Sequence, residues 1–151
     1  MRKATAIITA LILITLTSCN LDIIGFNSKA IGNTYVHVNT SNATSDILII
    51  ETTSLHFLEN GVLEFSRTYN EDFLEYAKQW NEENPDSHYH YGAENYTKMG
   101  TYEASFRKIM LQVPGEQEFM RTHYYNWIGQ DLELITKSIF TTDSMLFRKA
   151  N

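Results

Sequence analysis

Residues 53–69, TSLHFLENGVLEFSRTY, decide the fold of this chain. Asn60-Gly61 sits between two alternating apolar runs, the strongest short-range signature of a β-hairpin. Two registers compete. A two-residue turn pairs Leu58 with Leu63 and His56 with Phe65, which leaves an imidazole among hydrophobes. A three-residue loop, Glu59-Asn60-Gly61 with Gly61 left-handed, pairs Phe57 with Leu63 and Leu55 with Phe65. It also sets His56 across from Glu64 on the polar face. A slip of one residue moves every side chain to the other face of the sheet. The second register is therefore predicted, with His56 at the surface.

The flanking segments extend this pattern. Upstream, IGNTYVHV (31–38) reads as a first strand, NTSNATSD (39–46) as a loop and ILIIE (47–51) as a strand. Downstream, NEDFLEYAKQWNEE (70–83) is helical: Asn70 is placed to cap it, and Glu71 and Asp72 complement its positive end. Phe73, Tyr76, Ala77 and Trp80 fall on one helical face, which reads as packing on the sheet, while Glu71, Asp72, Glu75, Glu82 and Glu83 form a solvated face. NPDSHYHYGAENYTK (84–98) is a long loop. GTYEASFRKIMLQV (100–113) alternates with Tyr102, Ala104 and Phe106 on one side, and its phase slips near Arg107-Lys108, which predicts a bulge. Pro114-Gly115 forms the centre of a type II turn. EFMRTHYYNWI (118–128) and DLELI (131–135), joined at Gly129-Gln130-Asp131, follow as strands, and SMLFRK (144–149) is the last. The order predicts a mainly β fold. An antiparallel meander forms a small barrel or strongly curved sheet, with one mid-chain amphipathic helix, about 70–83, against it.

Composition agrees with one modest domain. The chain has 151 residues, 43% hydrophobic and 20% charged, with 9 Tyr, 8 Phe and 2 Trp, the residues strands favour. Its net charge of −6 argues against nucleic acid and against adhesion to anionic headgroups, since both require a positive face.

The first twenty residues, MRKATAIITALILITLTSCN, have a secretory layout. Arg2 and Lys3 give a positive start, Ala4–Leu16 an apolar run too short for an ordinary membrane span, and Thr17 and Ser18 small residues after it. Leu16-Thr17-Ser18-Cys19 resembles the lipobox of bacterial lipoprotein precursors. That resemblance implies removal of residues 1–18, acylation of Cys19 and anchoring in the bilayer of the cell envelope. Asn20, in place of the Asp resembling an inner-membrane retention signal in enteric bacteria, implies the outer membrane if the source is Gram-negative. The competing reading is an ordinary secretory cleavage near residue 19 that leaves a free protein. Residues 19–30 then read as a lipidated tether and 31–151 as the domain. Loss of Arg2 and Lys3 takes the charge from −6 to −8.

The domain itself resembles small lipocalin-like lipoproteins. The resemblance rests on Ile31-Gly32-Asn33-Thr34-Tyr35 at the first strand and on Tyr125-Asn126-Trp127-Ile128-Gly129-Gln130-Asp131-Leu132-Glu133-Leu134 late in the chain. It implies an interior that holds a small apolar molecule, with Phe106, Tyr125 and Trp127 as candidate lining residues. The alternative is a filled core and a protein that acts through its surface on a partner protein. The two differ in whether the barrel contains a pocket of at least about 300 Å³.

No catalytic residue is predicted. The single Cys is taken by the lipid, no Ser lies in a Gly-x-Ser-x-Gly elbow, and no glycine-rich phosphate loop occurs. No cofactor is expected. His88-Tyr89-His90 carries two imidazoles at i and i+2, able to hold Zn²⁺ or Cu²⁺ if Asp86, Glu94 or His123 supplied a third ligand. The plain alternative is an exposed His- and Tyr-rich loop.

Overall fold

The computed structural model describes residues 25–88, 91–138 and 141–151. Residues 1–24, which include the expected signal segment and Cys19, lie outside these, as does His90.

Eight antiparallel strands follow one another around a closed barrel: β1 (Thr34–Asn42), β2 (Leu48–Phe57), β3 (Val62–Tyr69), β4 (Tyr96–Ser105), β5 (Lys108–Gln112), β6 (Thr122–Ile128), β7 (Asp131–Lys137) and β8 (Thr142–Lys149). β8 returns to β1 through Tyr35↔Lys149 and Val36↔Arg148. A helical segment, α1 (25–30), precedes the barrel, and a second helix, α2 (Glu71–Glu83), connects β3 to β4. This is the lipocalin-like, up-and-down barrel architecture that removes every sheet edge by closure.

The hairpin of residues 53–69 has the expected register: Leu55↔Phe65, His56↔Glu64 and Phe57↔Leu63. Asn60 and Gly61 are both left-handed, with φ of 60° and 74°, which turns the chain without breaking the alternation. The Val113–Glu116 turn also forms as expected, with Gly115 at φ 81° and the Glu116 N–H donating to the Val113 carbonyl at 3.0 Å.

Four segments depart from the sequence reading. β1 runs on through residues 39–42, so the loop shrinks to 43–47. The phase slip at Arg107 is a hairpin turn between β4 and β5 rather than a bulge; Arg107, at φ 52°, accepts a left-handed backbone. Residues 25–30, read as the end of a tether, belong to the domain: Phe26 and Ala30 are buried in the core. Asn70 precedes α2 but caps nothing with its side chain. Its Oδ1 accepts the Ile50 N–H at 2.8 Å and its Nδ2 donates to the Leu48 carbonyl at 3.0 Å, so it carries the pairing past the end of β3 along the first residues of β2.

Antiparallel order gives the barrel two distinct ends. One, here the near end, gathers α1, the 58–61 loop, the Phe106-Arg107 turn and the Gly129-Gln130 turn. The far end carries the 43–47 loop, α2 and its loop, and the 113–121 segment. Between them the interior is solid. Leu55, Phe57, Leu63, Phe65, Ile109, Leu111, Val113, Leu132, Leu134 and Phe147 each have 0% exposure. A side chain bordering a void large enough for water would keep surface that water could touch, so no ligand-sized cavity adjoins these residues.

Candidate functional site

With the interior filled, the candidate sites are the barrel ends. At the near end α1 works as a stopper. Phe26 enters the mouth and meets Phe57, Tyr102, Tyr125 and Trp127, with ring centroids 5.5, 6.0, 4.8 and 5.6 Å away. Edge-to-face and tilted contacts of this kind add to the area term of burial. The Tyr35 hydroxyl donates to the Lys29 carbonyl at 2.8 Å, tying the stopper to β1. Burial and the nearby Asp131 carboxylate push that hydroxyl above its ordinary pKa, so it stays a donor.

Three surface clefts surround the stopper. The first, about 530 Å³, is lined by Gly25, Phe26, Lys29, Arg107, Tyr125, Asn126 and Trp127. Lys29 lies over the Trp127 ring, its Nζ 5.2 Å from the centroid, a cation–π arrangement. The second, about 230 Å³, adds Lys149 and shares Lys29. Neither cleft has a carboxylate in its lining. The third, about 520 Å³, is bordered by Glu59 and Glu103. The near end thus offers aromatic faces and cations on two sides and acids on the third. Beyond it, Phe106 and Ile128 are 61% and 51% exposed.

The expected lining residues separate. Tyr125 and Trp127 come together, Tyr125 buried and Trp127 partly so, but they line a surface cleft beside the plug and not an internal ligand chamber. Phe106 does not line the interior: the chain turns at 106–107, so the side chain that continued alternation would bury points to solvent. Lys29 and Arg107 were not evident as site residues; only the plug and the unexpected turn bring them to one cleft.

The far end is polar within. Alternation continues inward from Leu63 and Phe65 to Arg67, and from Tyr102 and Gly100 to Lys98 and Tyr96. These meet Glu116, buried to 7% exposure, whose Oε1 accepts from Lys98 Nζ at 2.6 Å and from the Tyr96 hydroxyl at 2.9 Å. Arg67 approaches its Oε2 at 3.3 Å and Glu51 at 3.3 Å on the other side. Burial alone would raise the Glu116 pKa, but these donors and positive charges outweigh it and hold it below the ordinary value. Tyr96, raised to about 12 by burial and by its bond to Glu116, remains protonated. The network neutralises itself and fastens the 113–121 segment over the barrel end, which is a structural duty.

His123 is fully buried on β6, its Nδ1 3.0 Å from Thr136 Oγ1 and its Nε2 without a hydrogen-bond partner among the described residues. Burial, aided by the Arg121 charge, pulls its pKa down to about 4. Its ring is wholly enclosed by the core, not displayed with the 84–98 loop. His88 is exposed in that loop, and no group of three His, Cys, Asp or Glu side chains able to hold a metal occurs among the described residues. The carboxylates of α2 do form a solvated face, while Phe73 and Ala77 are buried.

The architecture defines the chain as a lipocalin-like, eight-stranded barrel with a plugged near end. No family model, curated protein or solved structure matches it.

Proposed function

We propose that this chain is a lipid-anchored protein of the bacterial cell envelope that acts by binding through its surface, without catalysis. The anchor reading rests on the lipobox-like Leu16-Thr17-Ser18-Cys19 in its secretory context. The observation that carries the surface reading is the run of wholly buried interior side chains, which fills the space a carried ligand would need. A carrier role remains compatible with the barrel architecture, but it would require these residues to move apart. The plugged near end, with aromatic and cationic clefts around α1, is the surface best suited to an amphipathic anion.

Two measurements test this reading. Mass spectrometry of the mature N-terminal peptide from native envelopes is expected to find an acylated Cys19 as first residue. A free terminus at another residue would refute the anchor. Titration with an environment-sensitive apolar dye is expected to give no saturable one-to-one uptake. Stoichiometric uptake competed by fatty acids would restore the carrier reading.

A further inference from the structure

We propose that the near end of the barrel docks on the anionic phospholipid headgroups of the bilayer that holds Cys19, with Lys29, Arg107 and Lys149 meeting the phosphates and Phe106 and Ile128 entering the interface. This rests on the anchor reading and gives the surface a ligand class. Three independent observations converge on it.

The first is reach. Five residues separate Cys19 from Gly25, where the described domain begins, and the six extended steps between them span at most about 20 Å. The near end is therefore the end kept beside the headgroups. The far end, a barrel length away, reaches the bilayer only if the barrel tips over on its tether.

The second is charge. The whole chain is acidic, but its acids are unevenly spread: at the near end Glu59 and Glu103 border the third cleft and Asp131 accepts the Lys149 N–H, while the longest acidic run sits at the far end. Glu71, Asp72, Glu75, Glu82 and Glu83 all lie on α2 at the far end, and Asp86 and Glu94 follow in its loop. The two cationic clefts at the near end are lined without a carboxylate. Their charges sit within about one Debye length of a surface they touch, where they are poorly screened. An anionic bilayer would thus favour the two cationic clefts over the acidic face of α2, turning the barrel upright on its tether.

The third is apolar exposure in the right place. Phe106 and Ile128 lie at neighbouring turns of this end and are more than half exposed, although the other described phenylalanines, Phe26, Phe57, Phe65, Phe73, Phe119 and Phe147, are buried. Arg107 lies beside the Phe106 ring, its guanidinium carbon 5.5 Å from the centroid. An aromatic tip with an adjacent cation is the pairing that interfacial anchors use, one group entering the acyl boundary while the other stays with phosphate.

The test uses the acylated protein in liposomes. Cys19 is the only cysteine and is capped by lipid, so a second one can carry a fluorophore alone. Gln130→Cys labels the near end beside the docking face, and Gln79→Cys labels α2 at the far end. With phosphatidylglycerol present, a headgroup quencher is expected to quench the label at 130 several-fold more than the label at 79. Adding Lys29→Glu and Arg107→Glu, or replacing Phe106 by Ser, is expected to bring the two labels level. Circular dichroism of each variant checks that the barrel is intact. Equal quenching at both positions in the unsubstituted protein overturns the docking face. Quenching at 130 that is the same in neutral vesicles and survives charge reversal overturns the headgroup assignment, leaving mere confinement by the tether. Mass spectrometry on the same preparation reports the lipid separately. If Cys19 is unmodified the anchor reading fails, and absence of cosedimentation with phosphatidylglycerol vesicles then refutes docking as well.

Discussion

His123 makes stability depend on pH in a window where few other groups contribute. The imidazole is wholly buried and titrates near 4 in the folded barrel, against 6.5 when free. Between these values the unfolded chain takes up a proton that the native chain refuses. Stability must therefore fall as pH drops from 6.5 towards 4, by about 1.4 kcal/mol per pH unit and about 3 kcal/mol in all. Against a total of about 5–15 kcal/mol for an ordinary domain, that is a large share. Glu116 acts in the same direction but lower down. Its pKa lies below the ordinary carboxylate value of 4.5, so its contribution is present above that value and is lost as pH falls through the depressed one. The two groups are thus separable by window. His123→Leu keeps the volume and removes the proton. Urea unfolding of both proteins at pH 7.5, 6.5, 5.5 and 4.5, followed by tryptophan fluorescence, isolates the effect. At an m-value of about 1.5 kcal/mol per molar, the midpoint of the natural chain should fall by about 1 M urea per pH unit below 6.5. The variant's midpoint should stay nearly level until carboxylates titrate. Parallel pH profiles in the two proteins would refute the reasoning and place the proton elsewhere.

Two further substitutions test the packing of the barrel. Gly100→Ala would set a Cβ 2.5 Å from the Gln112 carbonyl oxygen and 3.2 Å from the Val113 backbone. The strands must then part, at a cost of about 2–3 kcal/mol read from urea midpoints; an unchanged midpoint would show that β4 and β5 do not approach as described. Phe26→Ala removes the plug from its aromatic ring of partners and should cost about 3–5 kcal/mol, whereas a loss under about 1 kcal/mol would return residues 25–30 to the tether.

How much of this was readable beforehand differs by segment, for identifiable reasons. The 53–69 hairpin was legible because a period-two pattern and Asn60-Gly61 each specify the same register. The β4–β5 turn was not, because Phe106-Arg107 has no Gly, Asn or Asp to announce a left-handed residue, and Arg107 adopts it nonetheless. Phe26 and Ala30 lie four apart, one helical turn, so α1 left a faint trace. What it packs against is a barrel mouth assembled from residues up to a hundred positions away. His123, Tyr125 and Trp127 all point inward on β6, of which the sequence reading named only Tyr125 and Trp127 as lining residues. Alternation alone does not tell that the core closes over His123 while Trp127 stays at a cleft.

The same limit applies to charge, where it alters the functional argument. A net charge describes the field only at distances large compared with the molecule; at a contact, the charges within a Debye length decide. In this chain an acidic helix is inserted between β3 and β4, and antiparallel order sends that connection to the far end. Lys29, Arg107 and Lys149 come from α1, a tight turn and the last strand, and the same order sends all three to the near end. An overall charge of −6 that argues against an anionic surface is therefore an average over two ends of different character. A filled interior sharpens the point. When the core residues have no room for a ligand, the proposed surface binding must draw its selectivity from what the turns display, and turn placement is what topology fixes.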